Sequence, residues 1–353
     1  MTEPKVFLKD LTLKELEFFF SQMGEPSFRA RQVADWIFKK GASSFSEMTN
    51  LPSSLRERLE PVAVPGSLSI MKKQVSLRGD TIKYLFSLGD GQAVESVLMK
   101  HSYGRSVCIS TQVGCRMGCG LCASTLGGMI RNLSPGEMYE QVLAVQKDSG
   151  VRVSHVVLMG SGEPLDNYQN TIKFLININA AYGLNIGYRH ITLSTCGIVP
   201  RIKQLAEEGF PLTLAVSLHA ADNDLRDSLV PINRKYPLES LIEVCLYYSG
   251  KTGRRITFEY TLLAGANDSD RQALNLARLV RKVPCHVNLI PYNPVGERIY
   301  KRPSRETVKK FRLILEQNGV EATIRRELGS DIDAACGQLR RRAALESALK
   351  KKQ

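Results

Sequence analysis

SVCISTQVGCRMGCGLC, residues Ser106 to Cys122, reads as a short strand running directly into three closely spaced cysteines. Its opening part, SVCIST, starts a rhythm that holds for the rest of the chain. Further strand candidates follow in HVVLMG, HITLST, LTLAVSL, RITFEYTLL, HVNLIPY and EATIRRE. Between them lie helical patterns such as PGEMYEQVLAVQ and RQALNLARLVRKV, with apolar residues at three- and four-residue intervals. Many of these strands read as apolar throughout, as expected when a parallel sheet is buried on both faces. Six or seven such units in roughly 220 residues point to an α/β barrel, complete or partial, with a partial (β/α)6 barrel the expected form. A doubly wound open sheet is the competing architecture, and periodicity alone does not separate the two.

Upstream the pattern differs. LTLKELEFFFSQMG and FRARQVADWIFKKG carry helical spacing, and three strand-like runs, SLSIMKKQVSL, TIKYLFSL and AVESVLMK, are joined by turn-forming RGD and LGDGQ. The expected division is a small helical domain over 1–65, a β linker over 66–100, the barrel over 101–340 and a basic tail over 341–353. Apolar residues make up 43% of the 353-residue chain and charged residues 24%, which excludes wholesale disorder. No run approaches the ~18 apolar residues of a membrane span, and the N-terminal MTEPKVFLKD lacks the apolar segment of a secretion signal, so a cytoplasmic protein is expected. Lys and Arg number 48 against 35 acids, a net charge of +13, which favours a polyanionic partner such as nucleic acid. The paired cations Lys39-Lys40, Lys72-Lys73, Arg254-Arg255 and Arg325-Arg326 contribute to that field, as does the tail with Arg340-Arg341-Arg342.

In either architecture ligands bind where strands end. Those positions read Gln112 to Cys122, Gly160-Ser161-Gly162-Glu163-Pro164, Ser194-Thr195, Ser217-Leu218-His219 and Pro291-Tyr292-Asn293. The cysteines form C-x3-C-x2-C at Cys115, Cys119 and Cys122. A closed zinc site needs four ligands, and here a nearby fourth would have to be Cys108. Three thiolates suit a [4Fe–4S] cluster with one open iron. Such an iron chelates S-adenosylmethionine and passes it one electron, and carbon–sulfur cleavage then yields a 5′-deoxyadenosyl radical.

This spacing resembles the signature of the radical S-adenosylmethionine superfamily. The resemblance makes Gly162 and Glu163 the glycine-rich contact to the methionine amine. Ser194, Ser217, Leu218, His219 and Asn293 become further cofactor contacts. Each of these, taken singly, is more often a strand-end residue satisfying local backbone. Cys108-Ile-Ser-Thr-Gln-Val-Gly-Cys115, Cys122-Ala-Ser-Thr-Leu-Gly-Gly, Pro231-Ile-Asn233, His286-Val-Asn-Leu-Ile-Pro291 and Asp331-Ile-Asp-Ala-Ala-Cys336 narrow it to the RlmN/Cfr family of RNA adenosine methyltransferases, and most closely to the RlmN type.

That resemblance implies that Cys336 carries a methyl group, that Glu95 accepts a proton from the adenine ring, and that Cys108 releases product through a transient Cys108–Cys336 disulfide. Two S-adenosylmethionine molecules are used per turnover, one as methyl donor and one as radical source. The implied substrates are an adenosine in the peptidyl-transferase region of 23S rRNA and the adenosine 3′ to the anticodon of some tRNAs. The protein would act as a monomer with a low-potential donor such as flavodoxin or ferredoxin. Gly162-Glu163-Pro164 matches the type that methylates adenine C2; the Cfr type, which methylates C8, tends to alanine after the glutamate. Ser161 departs from the apolar residue often found there. From the residues alone, Glu95 in AVESVLMK reads as an outward strand position. Cys196, Cys245 and Cys285 read as buried inert thiols. A zinc-containing RNA-binding protein and a radical enzyme acting on a small molecule or peptide are the alternatives from other classes.

Overall fold

A computed structural model describes residues 5–294, 298–326, 328–329 and 331–332. At the N-terminus, β1 (Val6–Phe7) pairs with β2 (Ala63–Val64) and encloses α1 (Leu13–Gln22), α2 (Ser27–Ala34) and α3 (Ser53–Leu59). Thr12 caps α1 reciprocally with Glu15, satisfying two end groups of the helix. Leu16, Phe20, Val33, Ile37 and Phe38 fill the interior of this unit.

A ten-stranded sheet organises the remainder. Its antiparallel edge is β3 (Ser69–Val75), β4 (Thr81–Ser87) and β5 (Ala93–His101), joined to β6 (Gly104–Cys108). A two-stranded hairpin, β7 (Gln112–Gly114) with β8 (Met129–Asn132), stands apart from that sheet. From β6 the main sheet is parallel through β9 (His155–Leu158), β10 (Ile191–Thr195), β11 (Thr213–Ser217), β12 (Ile256–Leu262), β13 (Cys285–Pro291) and β14 (Ala322–Ile324). The crossovers are α4 (Pro135–Ser149), α5 (Tyr168–Asn179), α6 (Val199–Glu207), then α7 (Asn223–Leu229) with α8 (Leu238–Thr252), α9 (Asp270–Val280) and α10 (Arg305–Gln317). Six βα units and a closing strand give the partial (β/α)6 barrel, not the open doubly wound sheet.

Each crossover helix is delimited by its own residues. Ser134 and Glu137 form a capping box at the start of α4, Pro135 occupies its first position, and Gly150 ends it at φ 67°.

The strands are not apolar throughout, contrary to the sequence reading. Val107, Val156, Leu158, Ile191, Leu193, Leu214, Val216, Ile256 and Phe258 are buried on the outer, helix-covered face. Register partners share a face of a sheet. The other face therefore carries Cys108, Val157 and Thr192 in one row, then Ser194, Ala215, Thr257 and His286, then Ser217, Glu259 and Asn288. In a full barrel that inner face holds bulky aliphatic layers. Small and polar residues here leave a cup lined with hydrogen-bonding groups.

Candidate active site

The cysteine loop leaves β7 and returns on β8, so a hairpin fixes both its ends. Gly114, at φ 81°, lies so close to the returning chain that a Cβ would sit 1.9 Å from the Gly128 carbonyl; only glycine fits. The Cys115 N–H donates to that carbonyl at 3.0 Å. Carbonyls of Cys119 and Cys122 both accept from the Thr125 hydroxyl, at 3.1 and 3.0 Å, and from Arg298 Nη2, at 3.3 and 2.9 Å. The Gly120 N–H donates to Leu229 O at 2.9 Å. These bonds occupy the Cys119 and Cys122 carbonyls within the protein.

Burial pushes the Cys115 thiol up to about 12, and the negative charges of Glu163 and Cys122 add to the rise. Cys119 is raised further, by burial first and then by Cys122 and Cys115, with Arg226 opposing. These thiols lie within one another's electrostatic reach, and each disfavours ionisation of the next. A bound cationic centre relieves that repulsion by taking the thiolates as ligands. The donor set fits an iron–sulfur cluster. Among the described residues no three His, Cys, Asp or Glu side chains gather around one point as ligands of a single ion.

The loop after β9 packs directly on the chain leading to the cysteines. Gly160 donates to Ile109 O at 3.0 Å, and a Cβ there would meet that oxygen at 2.5 Å. Gly162, at φ 105°, has room for no Cβ either, with Gln112 Cβ at 2.6 Å from its position. Both glycines therefore serve packing against residues 109–112, a use that the sequence reading did not include. Gln112 joins the two loops: its Oε1 accepts from Glu163 N at 2.9 Å and its Nε2 donates to Asp166 at 2.8 Å. Arg116, next to the first cysteine, grips the same Asp166 with two nitrogens at 2.8 and 2.7 Å.

Glu163 is buried, and its carboxylate accepts from Leu165 N at 3.0 Å and from Cys196 N at 2.8 Å. Burial pushes its pKa up, and these two N–H groups oppose the rise. Ser194 and Ser217 lie on the inner face of the cup, both half-buried. Leu218 and His219 donate their N–H groups to Glu259 O. His219 sits at φ 59° with its Nδ1 accepting from Thr261 N at 3.1 Å, which puts the ring proton on Nε2. Burial pushes its pKa down to about 3, so the ring is neutral at physiological pH. Asn293 follows β13 and is exposed.

Arg226 and Glu259 had no signal in the sequence beyond their residue types. Arg226 is fully buried and donates to Leu218 O, Asn233 Oδ1, Cys196 O and Ser217 O, tying the ends of β10 and β11 to the turn that holds Asn233. Glu259 is an inner-face carboxylate that accepts from Asn288 Nδ2 at 2.8 Å, with its pKa raised by burial. Its only mark in RITFEYTLL is the period-two alternation.

Glu95 is not outward-facing. It is 6% exposed on β5, and its Oε2 lies 3.0 Å from Nζ of the fully buried Lys83 on β4. Val97 pairs with Cys108 in register, so Glu95, two residues away, shares the inner face with Cys108. Cys196 and Cys245 are buried, whereas Cys285 is partly accessible. Cys336, like the tail from Arg340 onward, lies outside the described residues. No helix among the described residues is long and apolar enough to cross a membrane.

A parallel partial barrel whose first strand leads into three clustered thiols, facing a polar cup, defines a radical S-adenosylmethionine enzyme. Comparison with known proteins agrees. The radical SAM superfamily matches residues 109–277, and the ribosomal RNA large subunit methyltransferase N-terminal domain matches residues 6–64. A probable dual-specificity RNA methyltransferase RlmN from Desulforamulus reducens is 60% identical over 338 residues, covering 96% of this chain and 97% of that protein. Its counterpart from Pelotomaculum thermopropionicum is 61% identical over 342 residues, covering 97% and 93%. The crystal structure of a radical SAM methyltransferase from Sphaerobacter thermophilus superposes with a TM-score of 0.90 at 46% identity, covering 94% of this chain and 98% of that one. The chain belongs to the RlmN family of radical S-adenosylmethionine RNA methyltransferases. Its cofactors are those of the class, S-adenosylmethionine and an iron–sulfur cluster.

Proposed function

We propose that this protein methylates C2 of adenosine, in 23S rRNA and in the anticodon arm of some tRNAs, using a methyl group carried on Cys336. The relatives' name, dual-specificity RNA methyltransferase, supports both RNA classes, as does the net charge of +13. A cleft lined by Lys39, Lys40, Lys147 and Arg152 offers cations to phosphates. The target adenosine would have to be unpaired or flipped to enter the cup.

The observation that carries the reading is that Glu95 and Cys108 share the polar inner face. A lumen carboxylate and a lumen thiol are what release of a cysteine-linked adenine requires. When bound to Cys115, Cys119 and Cys122, a [4Fe–4S] cluster with S-adenosylmethionine supplies the methyl group and the hydrogen-abstracting radical. Two molecules are consumed per cycle, and a flavodoxin or ferredoxin supplies the electron. Gly162, Glu163, Ser194, Ser217, Leu218, His219 and Asn293 surround the cofactor. His219 offers Nε2–H as a neutral donor. The protein acts as a monomer.

Adenine C2 is electrophilic and does not attack a sulfonium methyl. The methyl on the Cys336 sulfur, having lost one hydrogen atom, therefore adds to it as a methylene radical; a carbon–carbon bond forms, and the ring's unpaired electron leaves to an acceptor, a role that a bound cluster would supply. Glu95 then takes the proton from C2: the C–H bond breaks, an O–H bond forms, and the electron pair restores the aromatic ring. Cys108, as thiolate, attacks the Cys336 sulfur. The sulfur–methylene bond breaks toward carbon, which takes a proton to become methyl, and the two thiols are left oxidised as a disulfide. External thiol reduces it for the next cycle.

The test is anaerobic reconstitution, turnover on unmodified 23S rRNA, digestion to nucleosides and mass-resolved chromatography. 2-Methyladenosine is expected. 8-Methyladenosine would reassign the protein to the Cfr type. Neither product, with cofactor cleavage intact, would overturn the RNA reading.

A further inference from the structure

Two lysines among the described residues are buried to 1% exposure or less against a carboxylate, and their settings differ. Lys9 Nζ bonds Glu140 at 2.8 Å and Pro65 O at 2.6 Å, while the other Glu140 oxygen takes the N–H groups of Ser67 and Leu68. That pair is a clamp between the N-terminal unit and α4. Lys83 bonds Glu95 at 3.0 Å on the inner face of the sheet, where Lys83, Val97 and Cys108 form one cross-strand row. The Glu95 carbonyl is held as well, by the Ser110 hydroxyl at 2.8 Å. Ser110 lies just ahead of the hairpin that carries the cysteine loop.

A cation is costly to bury, and a sheet edge does not need one there; an aliphatic pair would pack as well. Its position has a chemical consequence. A carboxylate that takes a proton from substrate must be held in one direction, and a glutamate side chain otherwise turns among several rotamers. An ammonium at 3.0 Å fixes that direction from the side chain, as the Ser110 hydroxyl does from the backbone. We propose that Lys83 is a positioning residue that holds the Glu95 carboxylate aimed into the cup for proton abstraction. The proposal rests on the reading of Glu95 as proton acceptor.

The test uses the reconstituted full-length enzyme with an unmodified 23S rRNA transcript, S-adenosylmethionine and dithionite. Three quantities are followed: cofactor cleavage, covalent protein–RNA adduct on denaturing gels, and methylated nucleoside. Lys83→Met should leave cofactor cleavage near the wild-type rate and raise the adduct about tenfold while product falls by a similar factor, as loss of a base contribution predicts. Glu95→Gln should show the same pattern. Lys83→Arg, which restores the charge, should recover most of the product. Lys9→Met breaks the other buried pair and should lower thermal stability without accumulating adduct.

Unchanged adduct and product in Lys83→Met would overturn the proposal. So would a parallel fall of cofactor cleavage, adduct and product in both Lys83 variants, which is the signature of a structural role. If Glu95→Gln accumulates no adduct, the assignment of Glu95 itself falls and takes the Lys83 proposal with it.

Discussion

Replacing Arg226 with methionine tests how the cup is held open. The guanidinium is fully buried and makes hydrogen bonds at 3.1 Å to Leu218 O, 2.8 Å to Asn233 Oδ1, 2.8 Å to Cys196 O and 3.3 Å to Ser217 O. Burial pushes its pKa down to about 10, which still leaves it charged at neutral pH. Methionine fills similar volume but donates nothing, so three strand-end carbonyls and one amide oxygen lose their partner. Hydrogen bonds to charged groups are worth ~1.5–3 kcal/mol each, and removing the arginine also removes its own desolvation cost. A net loss of about 3–5 kcal/mol is expected. For 353 residues at ~2.1 cal/mol/K each, that lowers the melting temperature by roughly 4–7 °C.

Because the freed carbonyls belong to Cys196, Ser217 and Leu218, cofactor affinity should fall as well, by about tenfold for ~1.4 kcal/mol of lost positioning. Arg226→Lys keeps the charge without the fork and should be intermediate. Melting of the apoprotein and equilibrium dialysis with S-adenosylmethionine measure the two effects. A melting shift below about 1 °C would refute the reasoning, since so small a loss cannot include four buried hydrogen bonds.

Other consequences are equally direct. His219 has its pKa pushed down to about 3 by burial, below the unfolded value of about 6.5, so the unfolded chain binds the extra proton. Its contribution to stability is complete above pH ~6.5 and is lost as pH falls toward 3, at about 1.36 kcal/mol per pH unit. His219→Asn, which keeps an acceptor and tolerates the positive φ, should lessen the acid sensitivity of urea midpoints between pH 6.5 and 5 by about 2 kcal/mol; an unchanged slope would contradict the burial argument. Gly114→Ala places a Cβ 1.9 Å from Gly128 O at φ 81° and should abolish iron loading while far-UV circular dichroism remains near wild type. Each of Cys115→Ala, Cys119→Ala and Cys122→Ala should likewise lose bound iron on reconstitution, measured by metal analysis, whereas Cys245→Ala should retain it.

How much of this was legible depended on whether the signal was local. The C-x3-C-x2-C run and the alternation of strand and helix are contained in neighbouring residues, and the barrel followed from them. The polar residues after strands lie where parallel strands must end, so Ser217-Leu218-His219 and Gly162-Glu163 could be picked out before any coordinates. What remained hidden is pairwise across the sheet. AVESVLMK gives no hint that Glu95 faces inward, because its partner Lys83 is on another strand of the antiparallel edge and only their register brings the two together. Polar inner-face residues such as Thr257, Glu259 and Asn288 alternate with apolar ones along their strands, but which face becomes the cup appears only once helices cover the other. Arg226 reads as an ordinary helix arginine until its carbonyl partners converge. The two glycines after β9 are legible as a turn, but their tight contact with residues 109–112 is a matter of packing.

The most direct test of the account is the isotopic composition of the methyl group delivered from S-adenosylmethionine labelled as CD3. Passage through Cys336 requires one deuterium to leave with the radical and one solvent-derived proton to enter when the sulfur–carbon bond breaks. Product 2-methyladenosine should therefore carry two deuterium atoms per methyl group. A product that retained all three would mean transfer of the intact methyl, and would contradict the carrier mechanism and the roles given to Cys336, Cys108 and Glu95.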